Sequence, residues 1–337
     1  MKAFVRRVLW VLAGLVVLPI VIVGVLGPPS VSGFAYLVSL LLMWVGLASV
    51  RKVARALRWV GLLLFIVTAL VRVARPSDAP LRHDVVGEAS ALRWGLARLV
   101  DERDMSVGAS RIFRLAGVLP PRGDALPGLF NESYDAMNGE GATPSSPLLS
   151  TLLLGQSAES FDMLQDDAPT SQGTLVFLHG FGGHVSAICW ELAQSARRVS
   201  WETRCPSTHL NGRWHEGEGP AIVRQSLEGA TRPVVLVGLS AGARGAAMLA
   251  PRLRGHIDGL ILLSGAARRA SHPRVPTLVL YGRDDRMFPS RVPREYAARF
   301  GAQARVIGAG HFIVLSERER VRDAVEAFLR QRRRAFD

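Results

Sequence analysis

The sequence predicts an α/β protein, a doubly wound and mostly parallel sheet, preceded by an N-terminal transmembrane helical region. Three observations predict it. Uncharged apolar runs crowd the first 75 of the 337 residues. From Thr174 onward, short apolar runs alternate with amphipathic helical stretches, the pattern of parallel strands covered by helices on both faces. Gly-rich turns carrying His, Ser or Asp follow several of those runs directly.

The membrane region comes first in the chain. Residues 8–26 hold no charge, and at about 1.5 Å per residue they reach across the ~30 Å hydrocarbon core. Lys2, Arg6 and Arg7 precede them, as in a signal peptide. The run is long, however, ends in no small-x-small cleavage site and is followed by further runs, so it reads as retained. A second uncharged run, Val31 to Val50, follows the link Gly27-Pro28-Pro29-Ser30 and makes a helical hairpin. The third, Trp59 to Val71, lies between Arg58 and Arg72. It reads as a short span over about 57–73 with both arginines snorkelling, or else as an interfacial helix.

Charge sets the expected orientation. Arg51, Lys52, Arg55 and Arg58 separate the second and third runs, and the first link carries no charge. Positive residues stay in the cytoplasm, which puts the N-terminus inside and the first link outside. With three spans in a bacterial inner membrane the remaining chain lies outside the cytoplasm. With residues 59–71 at the interface it is cytoplasmic. The net charge of +13 invites a nucleic-acid reading, which the distribution excludes. Lys2 and Lys52 are the only lysines, and the arginines are scattered with no stripe of interleaved aromatics. The arginine bias suits a GC-rich bacterial genome.

Residues 76–147 read as a helical and loop connector. Leu92, Leu96, Leu99 and Val100 form the stripe of an amphipathic helix over 88–103, and Ser106 to Gly117 predicts a second. Leu119 to Pro147 is dense in Pro, Gly, Ser, Asp and Asn and reads as irregular loop. Ser150 to Leu154 and Phe161 to Leu164 read as paired strands, the first equally as a helical turn.

The catalytic region is assigned to residues 148–337. Its strands are expected at Thr174 to Leu178, near Cys205, at Pro233 to Val237, Leu260 to Leu263, Thr277 to Tyr281 and Ala304 to Ile307. Val321, Val325, Phe328 and Leu329 mark a buried stripe on the closing helix. Two cysteines, Cys189 and Cys205, are too few for a disulfide framework. They read as buried thiols, with one bridge as the alternative in an oxidising compartment.

Four turns carry chemistry. Gly238-Leu239-Ser240-Ala241-Gly242 joins a strand to a helix, the setting of a nucleophile elbow, and makes Ser240 the candidate nucleophile. His179-Gly180-Phe181-Gly182-Gly183 follows the first core strand. Its Phe181 backbone N–H, paired with that of Ala241, makes a candidate oxyanion hole. His179 itself reads as a hydrogen-bonder within the turn. Gly282 to Pro289 offers Asp285 as the acid that orients an imidazole, with Asp284 as fallback. Gly308-Ala309-Gly310-His311 offers His311 as the base. His209 and His215 follow Cys205 at loose spacing without a second short ligand pair, which argues against a metal site. Trp214, on the loop after the Cys205 strand, is a candidate substrate contact, and reads equally as one packed tryptophan on a surface loop.

The order Ser, Asp, His, with His179-Gly180, Gly238 to Gly242, Asp285 and Gly310-His311 in these settings, resembles the α/β-hydrolase superfamily over residues from about 160 to 337. The resemblance implies cleavage of an ester or related acyl bond through an acyl-enzyme, without a cofactor. A thioester or peptide bond is the alternative target, and a non-catalytic membrane scaffold is a third reading. It implies a small-molecule or lipid-like ester as partner, beside the bilayer, and no obligate protein partner. Only Gly265 to Pro276 separates the Leu260 and Thr277 strands, too few residues for a helical cap. The core is similar to compact, lidless serine esterases. Any cover over the site is expected from elsewhere, such as residues 84–147.

Overall fold

The structure is a computed structural model. It describes residues 5, 10–15, 17–18, 29–48, 52–75, 81–88, 90–115, 117, 125–140, 145–168, 170–308 and 310–336.

Eight strands make one sheet: β1 (Arg82–Gly87), β2 (Ser160–Asp166), β3 (Thr174–Leu178), β4 (Glu202–Pro206), β5 (Val234–Leu239), β6 (Gly259–Leu263), β7 (Thr277–Gly282) and β8 (Gln303–Ile307). They lie in the order β1-β2-β4-β3-β5-β6-β7-β8. β2 runs antiparallel to both neighbours, and from β4 to β8 every pairing is parallel. This is an α/β-hydrolase-like fold.

The central strands are apolar on both faces because both faces are covered. Every residue of β3, β5, β6 and β7 is buried. Alternate residues serve two cores. Leu175, Phe177, Val235 and Val237 pack with the Ser186–Arg197 and Arg318–Phe336 helices. Val176, Leu178, Val234 and Leu236 pack with the Gly219–Leu227, Ala241–Leu249 and Arg291–Phe300 helices. The edge strand β8 is exposed at its first four residues, which is why its apolar pattern is weak.

The Val31–Leu47 and Lys52–Ala74 helices form a hairpin. Small residues let the two backbones close up: a Cβ on Gly61 would stand 2.8 Å from Ser39 O, and one on Gly46 2.7 Å from Ala54 O. Among the described residues, Lys52–Ala74 is the one helix long and apolar enough to cross a membrane, judged by length and composition. It begins five residues before the expected start at 57, because Lys52 to Leu57 contains only residues compatible with helix. Of the first apolar run, residues 10–15 and 17–18 are helical, and Trp10 stacks on Trp44. The rest of that run lies outside the described residues.

Several expectations are corrected. The predicted loop 119–147 contains the Leu126–Gly139 helix. The predicted 88–103 helix divides into Ala91–Leu99 and the start of Glu102–Leu115. Of the two equal readings of residues 150–154, strand and helical turn, the helical one holds: they belong to a helix, Pro147–Leu154, whose N-cap Ser146 accepts from Leu148 N–H. The stretch read as a connector also supplies β1, which pairs with β2 along its whole length. Cys189 and Cys205 are joined in a disulfide with Cα atoms 6.2 Å apart, the alternative to the buried-thiol reading.

Candidate active site

Ser240 stands between β5 and the Ala241–Leu249 helix with φ 54° and ψ −113°. A side chain in that conformation is strained and must be held by its surroundings. Its N–H donates to Leu263 O at 2.8 Å, tying the turn to β6. Three glycines leave room for the turn. A Cβ on Gly238 would run into the Gly242 carbonyl, one on Gly242 into that of Leu178, and one on Gly265 into that of Ser240. Gly238 and Gly242 were legible as elbow residues; Gly265 was not.

His311 follows β8. Its Nδ1 lies 2.8 Å from Asp285 Oδ2. The second oxygen of that carboxylate, Oδ1, accepts from Met287 N–H at 2.9 Å and Phe288 N–H at 2.8 Å. Asp285 is thereby fixed in orientation and buried, whereas Asp284 is exposed. Ser264, a residue sequence reasoning did not place here, donates from Oγ to His311 O at 2.6 Å. It sits at the end of β6, buried, beside the strand that carries Ser240.

The His179-Gly180 turn packs against the elbow: a Cβ on Gly180 would lie 3.3 Å from Ser240 Cβ. His179 has both ring nitrogens engaged with backbone. Thr208 N–H donates to Nε2 at 3.1 Å, and Nδ1 lies 2.8 Å from Gly180 O. Nε2 therefore accepts, Nδ1 carries the hydrogen, and the ring is neutral. Burial pushes its pKa down to about 4. Of the amides in this turn, Gly182 N–H is taken by Leu210 O at 2.7 Å. Phe181 is exposed at the cavity rim.

Trp214 does not contact a substrate space. It is fully buried, its Nε1–H donates to His179 O at 2.9 Å, and it is absent from the cavity lining. The indole instead braces the His179 turn from below. His215 lies 3.3 Å from Glu216. The described His/Cys cluster is His184, Cys189 and Cys205, whose two sulfurs are bonded to each other.

Ser240, His311, Phe181 and Gly180 line one cavity of about 330 Å³. Its other walls come from the Glu102–Leu115, Leu126–Gly139 and Pro147–Leu154 helices. The 265–276 segment contributes no lining residue. The cover over this site thus comes from chain N-terminal to β3.

No protein-family profile matches the sequence, and no curated protein matches it. Solved structures are similar over about half the chain. Est1E from Butyrivibrio proteoclasticus is 15% identical, with 51% of this chain and 94% of that chain covered and a TM-score of 0.43. A monoacylglycerol lipase from Paleococcus ferrophilus is 14% identical, covering 51% and 99%, at a TM-score of 0.43. The thioesterase domain from the curacin biosynthetic pathway is 13% identical, covering 49% and 94%, at 0.39.

Proposed function

We propose that this chain is a membrane-anchored serine hydrolase that cleaves a carboxylic ester. The observation that carries the reading is the His311–Asp285 pair at 2.8 Å on the same cavity as Ser240 in its strained elbow. Asp285 occupies Nδ1, which leaves Nε2 to take the Ser240 proton. Ser240 Oγ then bonds to the acyl carbon, and the carbonyl oxygen becomes an oxyanion between the N–H groups of Phe181 and Ala241. A pair of such donors is worth roughly 3–4 kcal/mol or more in the transition state. His311 passes its proton to the departing alcohol. Water, deprotonated by His311, attacks the acyl-enzyme and releases the acid and a restored Ser240. The active unit in this reading begins at the β1 edge strand.

Orientation follows the same reading. Ser30, at the start of the Val31–Leu47 helix, hydrogen-bonds Asp104, and Arg72, near the end of the Lys52–Ala74 helix, pairs with Asp101. The hairpin thus meets the hydrolase unit at one end. Lys52, Arg55 and Arg58 lie in the first turns of Lys52–Ala74, at the other. Positive residues on the cytoplasmic side favour a hydrolase unit outside the cytoplasm.

The purified full-length chain is to be assayed on matched ester, thioester and amide substrates. Ester turnover is expected, and Ser240→Ala should abolish it while thermal unfolding stays nearly unchanged. Turnover that survives in Ser240→Ala would overturn the assignment.

A further inference from the structure

The cavity is unusual in how few polar functions it offers. Among the described residues its ionisable side chains are His179 and His311. His179 has both nitrogens committed to backbone. Of the serines in the wall helix, Ser106 Oγ is bonded to Tyr134 Oη at 3.0 Å, and Ser110 Oγ donates to Val107 O at 2.7 Å. Ser240 and His311 are what remains for a ligand. Among the described residues the rest of the lining is glycine, aliphatic and aromatic, and includes no arginine, lysine or carboxylate to meet a charged group.

The rim is apolar too. Phe181 is 72% exposed, Leu152 58% and Met287 39%, and all three line the cavity. Exposed apolar rings and chains around a pocket mouth mark a surface that meets an apolar partner.

The third observation is where the wall helix is tied. Glu102–Leu115 supplies Met105, Ala109 and Phe113 to the cavity. Asp104, on the same helix, accepts from Ser30 N–H at 2.8 Å and from Ser30 Oγ at 2.6 Å. Asp101, just before the helix, faces Arg72 at 3.5 Å, and Tyr36 Oη donates to Leu99 O at 2.8 Å. One wall of the pocket is therefore anchored directly to the ends of the apolar hairpin.

We propose that the cavity is an uncharged acyl-chain site for a long-chain ester that resides in the bilayer, with the alkyl chain lying along the membrane-tied helix and the scissile carbonyl at Ser240. This rests on the hydrolase reading above. A free, water-soluble ester with a charged or hydroxylated acyl group would leave its polar atoms unpaired against this lining, at a cost the pocket has no partner to offset. An unbranched alkyl chain incurs no such cost, and each buried methylene adds about fourfold in rate, the equivalent of ~0.8 kcal/mol.

The test uses the full-length chain in phosphatidylcholine vesicles and alkyl fluorophosphonates with ethyl, butyl, octyl and dodecyl chains. The readout is the rate of labelling at Ser240. The proposal expects a rise of about fourfold per methylene over the first several carbons. It also expects the slope to collapse in Ala109→Trp, which fills the cavity from its exposed wall. Met105→Trp, one turn earlier, replaces that variant if its thermal unfolding shows it is not folded. A rate that is flat or falls with chain length, while Ser240 still labels, overturns the acyl-chain site and leaves the hydrolase reading intact. A slope that persists in a folded tryptophan variant does the same, since it would come from probe partitioning into lipid. Absence of labelling by every chain length would overturn the hydrolase reading itself.

Discussion

Asp285 uses both carboxylate oxygens, one on His311 and one on two backbone amides. An amide in its place keeps the shape and loses the acceptor pair that holds the imidazole tautomer. In the proposed mechanism Asp285→Asn should lower kcat by about three to four orders of magnitude. Asp284→Asn should change it by less than about twofold, because that side chain is exposed. Steady-state kinetics on a chromogenic ester decide, and the reverse ranking would reassign the acid. At this scale the Ser and Asp turns were legible because each follows a strand with a plain apolar run, and the His turn because Gly308 and Gly310 flank His311 after the weaker β8 run. Trp214 was left between two readings, substrate contact and packed indole, for a physical reason. The loop's direction depends on Gly219 and Gly245, where a Cβ would strike the tryptophan. An aromatic whose space is made by glycines distant in sequence carries no local signature.

The Glu102–Leu115 helix is held by an uncommon device. Glu102 is buried, and its Oε1 accepts from Tyr134 Oη, Ser186 N–H and Ser186 Oγ, each at 2.6 Å. Burial raises its pKa above the ordinary 4.5. The folded state then keeps a proton that the unfolded chain has lost, so the stability from this group is complete below about pH 4.5 and falls as pH rises through the raised value. Glu102→Gln mimics the protonated form. Thermal melts across that window should show wild-type stability declining relative to the variant as pH rises. A constant difference between the two would show that Glu102 ionises as freely in the fold as outside it. The helix start at Glu102 was hidden because the apolar stripe Leu92 to Val100 carries the helical reading on to residue 103, and a buried glutamate gives no local sign of a new helix. The Leu126–Gly139 helix was hidden by Pro127, Gly128, Asn131 and Asn138. The signature of β1 is in its pairing with β2, not in its own short sequence. The central parallel strands β3, β5, β6 and β7, by contrast, are each buried on both faces and show as apolar runs.

As a whole the molecule joins an apolar hairpin to a sheet, and a disulfide lies in the core that the sheet shares with Val107 and Tyr134 of the covering helices. Such a bond suits an oxidising compartment, which agrees with the orientation drawn from the arginines. An alkaline-phosphatase fusion after Arg82 is expected to be active. An inactive fusion, with an active cytoplasmic reporter at the same point, would place the sheet domain inside. The alternation of elements made the sheet legible. The source of the cover, within residues 84–147, was legible from the short 265–276 link, but the individual helices were not, because tertiary contacts such as Glu102 with Ser186 bring them there. The central claim is a membrane-bound nucleophile at Ser240. Membranes containing the full-length chain are to be treated with a fluorophosphonate, digested, and the adduct mapped by mass spectrometry. The account predicts one adduct, on Ser240, that disappears in Ser240→Ala. An adduct on another residue, Ser264 included, or none at all on the folded protein, would contradict it.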